Sequence, residues 1–241
     1  MTRVDVAILV LAAGRGVRLG RGDKAFVVLR GKTLLERAVA TCRPFGPIAV
    51  AVPPGRVDEA TAVCPPGTTV IEGAETRAAS LRRLLGVASA PLVMIHDVAH
   101  PLASPALFRA VLAAAKDADG AIAALRPTDF VYRDGSTQEV DGRPAIAERV
   151  SGAWVAQSPK AFRRELLNAG YALADERRAI EAAWEDPGSL ELVQLAGGRV
   201  ITVPGEARNL KITDAEDLPL AEALLSLDVS EDQPRGPNES V

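Results

Sequence analysis

Histidine and cysteine are nearly missing: the 241-residue chain has two of each. Cys42 and Cys64 are too few for a disulfide framework, and neither has a Cys or His neighbour at metal-ligand spacing. A disulfide-stapled scaffold and a Cys/His metal centre are therefore both excluded, and the two thiols read as core or surface residues of a reducing compartment. An excess of charge is missing too. The formal net charge of −3 gives no general attraction to nucleic acid or to an anionic membrane. Apolar runs stay short; the one opening the chain, Val6 to Ala12, is far below the length of a membrane span. The N-terminal Met-Thr-Arg-Val-Asp-Val carries no signal-peptide cleavage pattern, so the expected location is cytoplasmic, and no internal repeat is visible.

What the chain does contain is an ordinary enzyme-like composition, 48% apolar and 24% charged, at a length that suits one large α/β domain or two small ones. Its organising stretch is residues 7–26. Val6 to Ala12 reads as a strand buried on both faces, central in a parallel sheet. Directly after it, Gly14, Gly16, Gly20 and Gly22 are interleaved with Arg15, Arg18, Arg21 and Lys24. Bare backbone that approaches closely, ringed by cations, suits a polyphosphate. Neither familiar phosphate loop fits. The dinucleotide fingerprint lacks its third glycine, since position 19 is Leu19, and a P-loop ending at Gly31-Lys32-Thr33 would need glycine where Phe26 stands. Thr33 reads instead as the N-cap of a helix over Leu34–Cys42, with Glu36 completing a capping box. The loop before it is left to wrap a nucleoside triphosphate, with Arg18 and Lys24 on its charged oxygens.

Along the rest of the chain, strands are expected at Ile48–Val52, Thr69–Ile71, Pro91–Ile95, Gly120–Leu125 and Val200–Val203. Thr76 caps a helix carrying Leu81, Leu84, Leu85 and Ala88, and Ser104-Pro105 opens another. Asp97 ends the strand 91–95 region at a point where open parallel sheets gather ligands, which makes it the best single carboxylate. Between Pro127 and Trp154 helical periodicity stops and Asp134-Gly135 and Asp141-Gly142 read as turns, so a projecting hairpin arm is expected, packed on a second subunit. Ser158-Pro159 is read as the start of a helix Lys160–Ala174. Residues 175–190 show no assignable pattern. A Thr213–Glu216 capping box precedes a helix Leu218–Leu225, and the polar tail from Asp228 is expected to be disordered. A single domain thus spans 1–227, with its arm at about 127–154.

Four separated stretches match one family: Leu-Ala-Ala-Gly-x-Gly-x-Arg-Leu at 11–19 followed by Lys24, His-Asp-x-Ala-x-Pro at 96–101, Ala-Gln-Ser-Pro-Lys-Ala-Phe at 156–162, and Asn-Leu-Lys-Ile-Thr-x-x-Glu-Asp-Leu at 209–218. Together they resemble the 2-C-methyl-D-erythritol 4-phosphate cytidylyltransferases and the closely similar pentitol-phosphate cytidylyltransferases. The resemblance implies a Rossmann-like, mostly parallel mixed sheet flanked by helices, and a homodimer with interlocking β-arms. It also implies CTP plus a sugar-alcohol phosphate giving a CDP-alcohol and pyrophosphate, with magnesium; no protein residue is assigned as a metal ligand. Carried over by position, Ala12, Ala13, Gly14 and Gly16 line CTP, Arg18 and Lys24 hold its phosphates, and Arg77 and Ser80 flank the cytidine pocket. Asp97 and Lys211 position the acceptor, with Thr128 and Arg149 reaching across from the arm of a partner subunit. Ser158 falls where the family usually has threonine, and His100 where it has arginine.

The chemistry fits these residues independently of the resemblance. An acceptor phosphate oxygen attacks the α-phosphorus in line, and fixed cations stabilise the charge that accumulates on the non-bridging oxygens and on departing pyrophosphate. A phosphate monoester is ionised near neutral pH, so no strong general base is needed, which suits a chain with two histidines. The departures from the family lie on the acceptor side: His100 cannot form a planar fork, Val150 adds a residue beside Arg149, Glu185 stands where a hydroxyl is expected, and Asp23-Lys24-Ala25 replaces Pro-Lys-Gln. The resemblance makes methylerythritol phosphate the first acceptor expected. Another polyol phosphate such as ribitol 5-phosphate, a different nucleotide base, and a nucleotide-binding protein without turnover are the alternatives.

Overall fold

The computed structural model describes residues 6–140, 143–180 and 187–231. Strands β1 (Val6–Leu11), β4 (Ile48–Val52), β5 (Thr69–Glu72), β6 (Leu92–Asp97), β7 (Gly120–Leu125), β10 (Val155–Arg163) and β11 (Val200–Pro204) form one sheet in the order β11-β7-β10-β6-β1-β4-β5. Every pairing is parallel except those of β10, which runs antiparallel between β6 and β7. Two-residue strands β2 (Val28–Leu29) and β3 (Lys32–Thr33) make a small hairpin, and β8 (Val131–Val140) pairs antiparallel with β9 (Arg143–Val150) as a separate arm. The sheet is the mixed, mostly parallel one that the resemblance implies.

Helices cover both faces. Alternation along β1 sends Val6, Ile8 and Val10 into one core and Ala7, Leu9 and Leu11 into the other, which is why the run is apolar at every position. The first core is closed by α1 (Leu34–Cys42), α2 (Val57–Val63), α4 (Pro105–Ala114) and α7 (Asp217–Glu231), and the second by α3 (Arg77–Val87), α5 (Arg164–Ile180) and α6 (Ser189–Leu195). Caps work as the sequence predicts at three places. Thr33 and Glu36 form the reciprocal capping box of α1, Thr76 accepts from the Ala79 amide, and Ser104 accepts from the Leu107 amide.

Three expectations are corrected. Residues 155–163 form strand β10, not the first part of a helix, and the helix that follows starts at Arg164. A strand sandwiched by neighbours and covered on both faces shows no polar alternation, and Ser-Pro at its centre imitates a helix start; here the Ser158 hydroxyl is engaged by the Asp97 amide instead. At the last helix, Asp217 replaces Glu216 as the capping carboxylate, accepting the Thr213 and Asp214 amides at 2.6 and 2.8 Å. That helix also runs past Leu225 to Glu231. Third, Asp134-Gly135 lies within β8 and makes no turn there. Of the unassigned stretch 175–190, the residues up to Ile180 complete α5 and α6 begins at Ser189. The start of the expected tail, 228–231, belongs to the last helix, while Asp141-Gly142, residues 181–186 with Glu185, and the tail from 232 lie outside the described residues.

Phe162 shows how β10 locks the sheet. It is fully buried, and its ring lies across Gly120, where an added Cβ would meet Phe162 Cδ1 at 2.4 Å. Phe162→Ala is expected to cost about 3–5 kcal/mol and to lower the melting temperature by roughly 10 °C for a chain this long, measured by calorimetry.

Candidate active site

At the carboxyl ends of β1, β4, β5 and β6 the sheet opens into a cleft of about 1490 Å³. Its first wall is the glycine loop after β1. Gly16 sits in the left-handed region, φ 60°, and an added Cβ would come within 2.8 Å of the Gly22 carbonyl, so the loop doubles back on itself. The Lys24 amide then bonds the Gly14 carbonyl at 3.2 Å, which brings the lysine under the glycines. Its Nζ donates to the Ile212 carbonyl at 2.8 Å. Residues 188 positions apart are thereby joined, and Lys211 stands beside Lys24 at the rim of the same cleft. Burial, then the nearby Lys211 and Arg18 charges, lower the pKa of Lys24, while Asp214 and Asp217 oppose the shift.

The second wall runs from Glu72 to Ser80. Gly73 is tightly enclosed, since an added Cβ would meet Ala13 Cβ at 2.3 Å and Ser80 Oγ at 3.0 Å. Ser80 is buried; its hydroxyl accepts the Ala74 amide and donates to the Thr76 carbonyl, both at 2.9 Å. Ser80 therefore shapes this loop through its own backbone contacts. Arg83 reinforces it with a 2.7 Å bond to the Gly73 carbonyl.

Asp97, the last residue of β6, faces both walls. Arg77, at the first turn of α3, grips it in a fork, Nε to Oδ1 and Nη2 to Oδ2, each at 3.0 Å. Burial pushes the Asp97 pKa up, but Arg77, together with Lys160 and His100, leaves it below the usual carboxylate value. Behind it, the Asp97 amide donates to the Ser158 hydroxyl at 2.9 Å, and that hydroxyl meets His96 Nδ1 at 3.0 Å. Burial drives His96 down to about 3, with His100 adding to the shift and Asp97 opposing it, so His96 is neutral and suited to accept the Ser158 proton.

The cleft thus gathers Ala13, Gly14, Gly16, Lys24, Arg77, Ser80, Asp97 and Lys211 from the residues picked out in the sequence. Ala12 is buried beneath it. Arg18 is exposed on the short turn Val17–Leu19 and acts on Lys24 through space without lining the wall. His100 and Ser158 are buried behind Asp97; His100 turns its Nδ1 to the Asn209 carbonyl, 3.3 Å away. Thr128 and Arg149 are exposed near and on the arm, with the Arg149 guanidinium 3.9 Å over the Phe130 ring, and neither lines the cleft of its own chain.

Sequence reasoning passed over Arg56, Arg83 and Arg178. The Arg56 guanidinium lies 4.2 Å over Phe26 and pairs with Asp23 at 3.5 Å and Glu59 at 2.7 Å, fastening the far end of the glycine loop. Its only sequence mark is a position after the Pro53-Pro54-Gly55 turn. Arg178 joins the cleft wall from α5, in the stretch without readable periodicity.

Because His96 is held neutral in the fold while the unfolded imidazole binds a proton near its ordinary pKa, the unfolded state gains protons first as pH falls. Stability is therefore expected to decline from about pH 6.5 toward 3, by at most about 1.4 kcal/mol per pH unit for this one group. His96→Gln flattens that part of the profile, as read by urea unfolding across the pH range.

Among the described residues no three His, Cys, Asp or Glu side chains converge to hold a metal ion, and no helix is long and apolar enough to cross a membrane.

A family model described as IspD, 2-C-methyl-D-erythritol 4-phosphate cytidylyltransferase, matches residues 6–227. The cytidylyltransferase of that name from Thermus thermophilus is 40% identical over 224 residues, which cover 92% of this chain and 97% of that protein. The one from Deinococcus radiodurans is 40% identical over 218 residues, 90% of this chain and 88% of that protein. The crystal structure of the Thermus enzyme superposes with a TM-score of 0.73 at 36% identity, covering 92% of this chain and 99% of that one. Loop, lysine pair and carboxylate all fall inside the matched span, and the chain belongs to the IspD family of 2-C-methyl-D-erythritol 4-phosphate cytidylyltransferases.

Proposed function

We propose that this chain transfers CMP from CTP to 2-C-methyl-D-erythritol 4-phosphate and releases pyrophosphate, in the non-mevalonate route to isoprenoid precursors. The observation that carries the reading is the convergence of Lys24 and Lys211 at the mouth of the glycine loop, opposite the Arg77–Asp97 pair. Cations stand on one side for the triphosphate and a fixed carboxylate on the other for acceptor hydroxyls. In the reaction an acceptor phosphate oxygen forms a bond to the α-phosphorus while the bond from that phosphorus to the β-phosphate bridging oxygen breaks. Lys24 and Lys211 would hold the non-bridging oxygens and the departing pyrophosphate, stabilising charge that is greatest in the transition state. The enclosed floor at Gly73 and the Ser80-shaped loop would seat the base against backbone groups.

Magnesium is part of the proposal. Asp23 is paired to Arg56 and Asp97 to Arg77, Glu72 accepts the Gly55 amide, and among the described residues no three acidic, His or Cys side chains converge. A Mg²⁺ would therefore be carried chiefly by triphosphate oxygens and water, with Glu75 the remaining carboxylate of the cleft wall. When bound it would supply further neutralisation of the phosphates.

A homodimer is proposed as well. Phe130, Tyr132, Trp154 and Val155 are large, apolar and exposed around the base of the arm, a two-stranded element of marginal stability alone. Arg149 and Thr128 sit in that region and would reach a second subunit's cleft. The buried Cys42 and half-buried Cys64, whose thiols burial pushes up in pKa, suit the proposed cytoplasmic setting.

The test is pyrophosphate release across four nucleoside triphosphates and the 4- or 5-phosphates of methylerythritol, erythritol and ribitol, with glycerol phosphate. The reading expects CTP with methylerythritol phosphate to be fastest. Preference for ribitol phosphate would move the acceptor assignment, and binding of CTP without any release would leave only a nucleotide-binding protein.

A further inference from the structure

Lys160 lies on β10, paired with Ile95 of β6 on one side and Ile122 of β7 on the other. In an antiparallel pair, directly opposite residues share a face, and Asp97 is two residues beyond Ile95, so Lys160 projects on the same face as Asp97 and diagonal to it. The side chain is only partly exposed. Among the described residues it makes no hydrogen bond and no ion pair, whereas Lys24 is tied to the Ile212 carbonyl and Arg77 to Asp97. Its charged surroundings are Arg77 and Lys211 on one hand and Asp97 and Glu191 on the other.

We propose that the Lys160 ammonium binds the phosphate group of the acceptor, a phosphate monoester dianion, on the β10 side of Asp97. The inference rests on the reaction proposed above; Lys160 is not itself among the residues lining the cleft and reaches the acceptor from beside the lining residues Arg77 and Asp97. A dianion needs a cation there; Lys211, at the cleft rim, is assigned above to the nucleotide phosphates, and two other neighbouring candidates are engaged by protein groups. Arg77 is engaged by Asp97, and His100 is buried against the Asn209 carbonyl. Burial lowers the His100 pKa, with Asp97 opposing, so it is a poor source of positive charge. A half-buried ammonium without a direct anionic partner is a costly arrangement that an incoming phosphate relieves. Consistently, burial and then Arg77 lower the Lys160 pKa, with Lys211 contributing, against opposing effects of Asp97 and Glu191. The consequence is selectivity: a phosphorylated polyol is held at both ends, its hydroxyls by Asp97 and its phosphate by Lys160, while the free polyol is not.

The test compares the wild-type chain with Lys160→Gln, Lys160→Met and Lys160→Arg in steady-state pyrophosphate release. Loss of the charge is expected to raise the KM for methylerythritol phosphate roughly ten- to hundredfold. The KM for CTP should stay within about twofold, and Lys160→Arg should recover most of the loss. Melting curves show which neutral variant is folded, and either one suffices. An unchanged acceptor KM, or an equal rise in both KM values, overturns the proposal. Calorimetric binding of methylerythritol phosphate in the presence of a non-hydrolysable CTP analogue separates the two readings. Wild-type binding that disappears in Lys160→Gln supports the Lys160 site even if turnover fails, and binding that survives rejects it. A wild-type chain that binds no polyol phosphate rejects both.

Discussion

Lys24→Met is expected to lower kcat/KM for CTP by roughly 10²–10³, the loss seen when one preorganised charge-stabilising donor is removed from an active site. Methionine keeps most of the lysine stem beside Gly16, so the change is chiefly one of charge. One complication is structural. The Lys24 Nζ also donates to the Ile212 carbonyl, and the segment that carries Lys211 could loosen when that bond goes. A second tie holds it: the Ile212 amide bonds the Ala99 carbonyl at 2.7 Å, and Ile212 is fully buried. The melting temperature should therefore fall by only a few degrees, about what one lost hydrogen bond allows. A loss of activity with a near-native melting curve identifies Lys24 as a phosphate ligand. Retained turnover would remove it from the reaction.

Asp97→Asn is expected to separate the two substrates. Asparagine keeps the shape and the backbone bond to Ser158, but the Arg77 fork loses its anion. With Arg77 partly exposed, the unpaired guanidinium is rescued by water and the fold survives. Misplaced acceptor hydroxyls are expected to cost about 1–3 kcal/mol, roughly ten- to hundredfold in kcat/KM for the polyol phosphate. CTP affinity should change little, because the loop wall at Gly14, Gly16 and Lys24, proposed to hold the triphosphate, is untouched. Because the carboxyl pKa lies below the usual value, wild-type activity on the acceptor should persist through mildly acidic pH and fail only as Asp97 takes up its proton. The asparagine variant has no such acid limb.

These expectations depend on a fold whose legibility varied along the chain. Elements whose signals are local were readable: the both-face-buried runs of β1, β4 and β7, and the caps Thr33, Thr76 and Ser104. β10 was misread because its pattern is set by its neighbours, β6 and β7, and because Ser158-Pro159 carries the same dipeptide signature as a helix start. α6 was unreadable for a similar reason: seven residues whose apolar positions pack against α5 form too short a window to show a period.

The site divides in the same way. Gly14, Gly16 and Lys24 are close in sequence, and a strand followed by glycines and cations announces its own chemistry. Orientation was not legible. Arg18, six positions before Lys24, faces solvent on a separate turn, and His100, three positions after Asp97, points into the core. Arg178 joins the cleft wall and Arg56 braces its Asp23 from elements distant in the chain, and no local motif marks them. Lys160 was hidden by the helix reading of its segment, since its position beside Asp97 exists only in the antiparallel register of β10 with β6.

A crystal structure of the chain with CTP and magnesium tests the central claim most directly. The account predicts the β- and γ-phosphates against the Gly14 and Gly16 backbone and Lys24 Nζ, the base over Gly73, and the α-phosphorus turned toward Asp97 and Lys211. A nucleotide bound with its phosphates away from Lys24, or with that cleft filled by another part of the molecule, contradicts it.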